Sequence, residues 1–98
     1  MSSLGGRTVL VTGGNGGIGL GMSRAVAAAG AQVVIWGRDE DKNERALEQL
    51  RADGATAHAF VCDVSDERAV DHAFEASVAA AGGRIDSVFA NAGRGGYV

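Results

Sequence analysis

Apolar blocks and helical stripes alternate along the chain. Thr8-Val9-Leu10-Val11 is a β-branched apolar run inside a first strand from Arg7 to Thr12. Gln32-Val33-Val34-Ile35-Trp36, Thr56-Ala57-His58-Ala59-Phe60-Val61-Cys62 and Ile85-Asp86-Ser87-Val88-Phe89-Ala90 supply the second, third and fourth strands. The second is apolar along its length, as a parallel strand covered on both faces must be. Between these runs the apolar period lengthens to three and four residues. From about Gly17 to Ala29, the residues Ile18, Met22, Ala25, Val26 and Ala29 form one stripe that predicts a helix facing the sheet. From Asp39 to about Asp53, Ala46, Leu47 and Leu50 do the same. In a third helix the repeat is Val70, Ala73, Phe74, Ser77, Val78 and Ala81.

The helix ends are also marked. Asp39 and Ser65 stand where N-caps are expected, with Glu40 and Asp41, and Asp66 and Glu67, in the first turns that follow. Arg51 lies near the negative end of the second helix, and Gly30, Gly54 and Gly82-Gly83 stop the three helices. The polar run from Asp39 to Arg45 reads as a solvated helix face, with Lys42 in it remote from any ligand. Strand and helix in this alternation predict an α/β fold, βαβαβαβ. Right-handed crossovers give a parallel sheet in the order 3-2-1-4, with the first two helices on one face and the third on the other. The order reverses between the first and fourth strands, and ligands bind at the carboxyl ends of strands beside such a reversal.

Composition narrows the function classes. The 98 residues leave room for one domain at most. With 46% hydrophobic and 21% charged residues the balance is that of a globular chain, not a disordered one. A net charge of −3 provides no basic surface for nucleic acid or anionic lipid. No apolar run is long enough to cross a bilayer, and the first residues do not read as a secretory leader. The single cysteine, Cys62, cannot form an internal disulfide and fits a reducing cytoplasm.

The chemistry concentrates between the first strand and the first helix, in Thr12-Gly13-Gly14-Asn15-Gly16-Gly17-Ile18-Gly19. A strand, a glycine-rich turn and a helix make a phosphate-binding crossover, because the helix turns free N–H groups and its positive dipole end toward an anion. Gly13 lets the chain leave the strand in a tight bend. Gly17 has no Cβ, so a diphosphate can approach the backbone. Gly19 lets helix and strand pack closely. The Gly-Lys-[Ser/Thr] ending of a nucleoside-triphosphate loop is absent.

Thr12-Gly13-x-x-x-Gly17-Ile18-Gly19, followed in order by Cys62-Asp63-Val64 and Asn91-Ala92-Gly93, resembles the cofactor motifs of the short-chain dehydrogenases/reductases. The resemblance implies a partial, three-layer Rossmann-type fold, with residues 1–98 as the amino-terminal portion of a single NAD(P)-binding domain. It implies cofactor contacts from Gly13, Asn15, Gly16, Gly17, Ile18 and Gly19 to the diphosphate and from Asp63 and Val64 to adenine. Asn91, Ala92 and Gly93 would lie along the nicotinamide half, with Asn91 also tying neighbouring strands together. Where NAD-specific members carry Asp at the end of the second strand, this chain has Gly37, followed by Arg38. An acidic side chain there selects NAD by holding the ribose hydroxyls, whereas a guanidinium accommodates a 2′-phosphate. Arg38 therefore favours NADP(H) over NAD(H). The family's other NADP cue, a basic residue just before the second loop glycine, is missing, since that residue is Gly16.

The activity implied is hydride transfer between nicotinamide and a small-molecule alcohol or carbonyl substrate. The family's catalytic Tyr-x-x-x-Lys does not occur here. Tyr97 follows the Asn-Ala-Gly turn too soon to be that Tyr, and Lys42 is the lone Lys. The chain thus reads as the cofactor half of an oxidoreductase with no catalytic residue of its own; the alternative is a non-catalytic nucleotide-binding module. His58 and His72 have no partners at metal-ligand spacing. Cys62 and Trp36 read as core. A fourth strand left at an edge, with its apolar face uncovered, predicts self-association into a homo-oligomer.

Overall fold

A computed structural model describes residues 3–91 of the chain. The elements run β1 (Thr8–Thr12), α1 (Gly17–Ala28), β2 (Gln32–Gly37), α2 (Glu40–Ala52), β3 (Ala57–Val61), α3 (Glu67–Ala80) and β4 (Ser87–Ala90). The four strands form one parallel sheet in the order β3-β2-β1-β4, as the alternation predicts. In register, Leu10 lies opposite Val34 and Val88, and Val11 opposite Ile35 and Phe89.

The period-2 geometry of the strands splits the core into two layers. On one face Val9, Val11, Val33 and Ile35 meet Ala46, Leu47 and Leu50 of α2, with Leu20, Val26 and Ala27 of α1 against them. On the other, Leu10, Val34 and Trp36 meet Ala73 of α3, flanked by Ala69 and Val70. Every residue of β1 is buried, whereas β4 is exposed except at the half-buried Phe89.

The stripe expected for α1 is out of phase with the one that packs. Ile18 is 74% exposed and Ala25 is exposed, while the buried positions of the helix are Gly19 and Ser23. The reason is proximity. A Cβ on Gly19 would strike the Gly13 carbonyl, so the helix touches the strand end through its smallest residue and the bulky Ile18 is turned outward. Ser23 completes this contact, donating to the carbonyls of Gly19 (2.8 Å) and Gly14 (3.4 Å). On the opposite face Ser77 of α3 plays the like part. It donates to Ala73 O (2.6 Å) and accepts from the buried indole of Trp36 (2.9 Å). Phe74, expected in the α3 stripe, is 42% exposed, because Ala73 and Ser77 occupy the line that meets the sheet.

The cap assignments hold for α2 and shift for α3. Asp39 accepts from Lys42 N (3.1 Å), and Arg51 near the other end donates to Ala57 O (2.9 Å). In α3 the cap is Asp66, not Ser65: its carboxylate accepts from Arg68 N (3.0 Å) and Ala69 N (3.2 Å). Ser65 lies one residue too early, and both its N–H and its hydroxyl turn back to Asp63. At the other end of the sheet Asp86 joins β4 to β1, accepting from Thr8 N (2.8 Å) while its own N–H donates to Thr8 O (2.9 Å).

Candidate functional site

The carboxyl ends of β1, β2, β3 and β4 bring the Gly13–Gly19 loop, Arg38, Asp63-Val64 and Asn91 to one edge. Leaving β1, the chain turns at Gly13, whose φ of 68° lies in the left-handed region, and Gly13 N donates to Trp36 O on β2 (2.8 Å). Gly16 is the N-cap of α1 in extended conformation, with no side-chain bond to the helix and no acid in the first turn. The amides of that turn have no intrahelical acceptor by geometry. Gly17, at φ 55°, faces open space: a Cβ there would meet no atom within 4 Å. A bare helix start beside an unobstructed backbone is the cradle that a diphosphate requires. Ile18, 74% exposed, flanks it.

The side chain of Asn15 crosses from this loop to the end of β2. Its amide donates to Asn43 Oδ1 (2.7 Å), and Asn43 Nδ2 donates to Gly37 O (3.0 Å) and Phe60 O (3.3 Å). Asn43 is 2% exposed, so one buried amide fastens loop, β2 and β3 together. Its role is not visible in the sequence, because it lies inside a polar run that reads as solvated; the missing apolar residue at a core-facing helical position is the signal available. The same amides explain Gly37. A Cβ there would collide with Asn15 Nδ2 and Asn43 Oδ1, so an acidic side chain has no room at this position.

Arg38, exposed, follows at the strand end, and its guanidinium lies near enough to Asp63 to contribute to lowering that carboxyl's pKa. The larger causes are the hydroxyl (2.7 Å) and backbone N–H (2.9 Å) of Ser65, both bonded to Asp63 Oδ1. Oδ1 thus belongs to the turn ahead of α3, an arrangement that leaves Oδ2 on the other side of the carboxyl. Val64 beside it is 40% exposed. On β4's side, the backbone N–H of Asn91 donates to Thr12 Oγ1 (3.0 Å), which links the end of β4 to β1 by main chain rather than through the side-chain amide. A Cβ on Gly19 would lie 2.8 Å from Asn91 Nδ2, which puts that amide beside the start of α1. Ala92, Gly93 and Tyr97 lie outside the described residues.

Lys42 is not remote. A Cβ on Gly16 would lie 2.8 Å from Lys42 Cε and 3.0 Å from Nζ, so the ammonium rests against the loop. The first turn of α2 faces the first turn of α1 across this gap, a neighbourhood invisible to helical periodicity. A groove of about 630 Å³ lined by Asn15, Leu20, Lys42, Arg45 and Gln49 opens there. Another of about 530 Å³, at the opposite end of the strands beside Arg7, Gln32 and Arg84, shares nothing with the loop. Cys62 is a buried free thiol whose pKa burial pushes up, with Asp63 and Asp66 adding to the effect, which disfavours the thiolate. His58 Nε2 bonds to Gln32 Oε1 (3.2 Å). No helix among the described residues is long and apolar enough to cross a membrane.

A doubly wound parallel sheet with a glycine-rich, uncapped helix start at its switch point defines the Rossmann class of proteins. Within that class, residues 7–98 match the family model described as short chain dehydrogenase, and the chain belongs to this family. A sorbose reductase of Schizosaccharomyces pombe is 42% identical over 94 residues, covering 95% of this chain and 37% of that protein. A short chain dehydrogenase from Mycobacterium smegmatis superposes with a TM-score of 0.92 at 39% identity, covering 98% of this chain and 40% of that one. NAD+-bound xylitol dehydrogenase gives 0.90 at 34% identity, with 94% and 35% covered. A variant of actinorhodin polyketide ketoreductase with NADPH gives 0.88 at 32% identity, with 96% and 36% covered. The chain therefore spans little more than a third of the length of these relatives.

Proposed function

We propose that this chain is the dinucleotide-binding part of an NAD(P)(H)-dependent short-chain dehydrogenase/reductase, and that NADP(H) is its preferred cofactor. The observation that carries the reading is the start of α1: uncapped, free of acids and open at Gly17, on the same edge as Arg38, Asp63 and Asn91. Backbone from Gly13 to Gly19 holds the diphosphate. Arg38 grips a 2′-phosphate beside Gly37, a position that itself carries no carboxylate. Asp63 Oδ2 accepts from the adenine amine, and the Val64 N–H donates to a ring nitrogen. Asn91 serves the nicotinamide half, the role the family resemblance gives to the whole Asn91-Ala92-Gly93 motif. The bound nicotinamide supplies the hydride acceptor or donor for an alcohol or carbonyl substrate. No Tyr-x-x-x-Lys occurs among these 98 residues, so this stretch binds and orients while proton transfer falls to other residues.

Calorimetric titration of the purified protein with NADP+ and NAD+ tests this. Saturable binding, tighter for NADP+, is the expected result. Failure to bind either would sink the dinucleotide reading, and equal affinities would remove the NADP preference. Self-association is expected through β4, whose Val88 is 54% exposed at the sheet edge; sedimentation of a well-folded monomer at high concentration would contradict it.

A further inference from the structure

Five of the eight residues from Thr12 to Gly19 are glycine. Glycine loses more conformational freedom on ordering than any other residue, so a loop of this composition keeps one shape only if it is fastened. Its entry is held by Gly13 N, which donates to Trp36 O (2.8 Å), and by Ser23 Oγ, which reaches Gly14 O (3.4 Å). Further along, the loop has two side chains. Ile18 is 74% exposed and fastens nothing. Asn15 is half-buried, and its amide donates to Asn43 Oδ1 (2.7 Å). Asn43 is a firm anchor: it is 2% exposed, and its Nδ2 is committed to Gly37 O (3.0 Å) and Phe60 O (3.3 Å).

Gly37 belongs to the same arrangement. A Cβ on it would lie 2.8 Å from Asn15 Cγ, and nearer still to Asn15 Nδ2 and Asn43 Oδ1, the donor and acceptor of the bridging bond. Any side chain at position 37 therefore enters between the two bonded atoms.

We infer that Asn15, Gly37 and Asn43 act as one unit, an amide bridge that presets the glycine-rich loop for a diphosphate, with Asn43 as a positioning residue too deeply buried to touch the ligand itself. The inference rests on the dinucleotide reading above and deepens it. Asn15 then serves the ligand through its backbone, because its side-chain donor is spent on Asn43. Gly37 is bare first of all because the bridge fills the space of its side chain. A loop shaped before the ligand arrives spares the ordering cost at binding. The bridge carries no charge and fixes the part that holds the diphosphate, so it acts on NAD+ and NADP+ alike.

The test is calorimetry on the purified protein with NAD+ and NADP+, with a thermal melt for each variant. Asn15→Ala, Gly37→Ala and Asn43→Ala are each expected to weaken both dinucleotides about tenfold, the worth of one hydrogen bond, with the ratio of the two affinities unchanged. Because each variant breaks the same bond, the losses should not multiply: Asn15→Ala with Gly37→Ala should bind about as well as either alone. Gly37→Ala should also lower the melting temperature less in the Asn15→Ala background than in the parent. Asn15→Ala removes no bond but the bridge among those described, so this pair decides the matter even if Asn43→Ala fails to fold. Parent-like affinity in Asn15→Ala and Gly37→Ala, or losses that multiply in the double variant, would overturn the bridge and leave the dinucleotide reading standing. If the unaltered protein bound neither dinucleotide, that reading would fall and take the bridge's role with it.

Discussion

Among the described residues three helices begin at the carboxyl edge of the sheet, and they begin differently. α2 and α3 start at Asp39 and Asp66, whose carboxylates accept first-turn amides, and both carry acids in that turn. α1 starts at Gly16 with neither cap nor acid. A helix N-terminus needs acceptors for its orphan amides, and the protein gives internal ones to two helices and withholds them from the third. The withheld one also meets the end of its strand through Gly19, where a Cβ would strike the Gly13 carbonyl. The difference teaches that two helix starts are closed internally while the start of α1 is left open, which is what the proposed function asks of it.

The largest effect should come from separating α1 from its strand. Gly19→Val forces atoms into the Gly13 carbonyl, which is backbone and cannot step aside, and into the Asn91 amide. A loss of about 3 kcal/mol or more, read from urea unfolding, is expected of such overpacking; a variant as stable as the parent would show that the close approach is dispensable. Next comes the amide that fixes the loop. Asn43→Leu takes the amide donor from the Gly37 and Phe60 carbonyls, leaving Gly37 O its bond from Cys62 N, and frees Asn15, costing about 1–3 kcal/mol and weakening both dinucleotides alike. Unchanged dinucleotide affinity in a destabilised protein would confine Asn43 to structure.

The comparison itself can be inverted. Gly16→Asp makes α1 resemble its neighbours, and it should hold or raise stability while reducing dinucleotide affinity about tenfold or more, since a carboxylate now occupies the anion's place. Asp66→Ala makes α3 resemble α1; it should cost about 1 kcal/mol of stability and leave dinucleotide affinity unchanged. If Gly16→Asp bound as tightly as the parent, the open helix start would have no part in binding.

The smallest effect is electrostatic. Asp63 is held below the usual carboxylate range by the Ser65 hydroxyl and N–H, and Asp86 by the Thr8 N–H. A folded-state pKa below the unfolded one stabilises above the unfolded value, about pH 4, and that stabilisation is lost as pH falls through the folded value. Acid unfolding below about pH 4 should therefore begin earlier for Ser65→Ala. Carboxyl titration by NMR should then find Asp63 nearer its ordinary range; an unshifted Asp63 would refute the attribution to Ser65.

Much of the architecture was legible in the sequence. The apolar runs, the glycine stops and the Asp39 cap sufficed for the element order, and right-handed crossovers sufficed for β3-β2-β1-β4. The phase of α1 was not legible. Hydrophobic periodicity weighs side chains by their size, and this helix packs through Gly19 and Ser23, the residues such a pattern overlooks. Phe74 departs from its expected stripe for the same reason, since Ala73 and Ser77 make the contact in α3.

What the sequence determined alone is local: which segments are strands or helices, where the chain can turn, and that a helix after Thr12 begins with no acceptor for its amides. What tertiary structure decided is lateral. Asn43 and Lys42 sit in a polar run whose spacing says only that it is wet, yet crossing α2 beside α1 buries one against Asn15 and Gly37 and lays the other against Gly16. Neighbours along a chain are fixed by covalent geometry, whereas neighbours across helices depend on how closely two backbones approach, and here glycines set that distance.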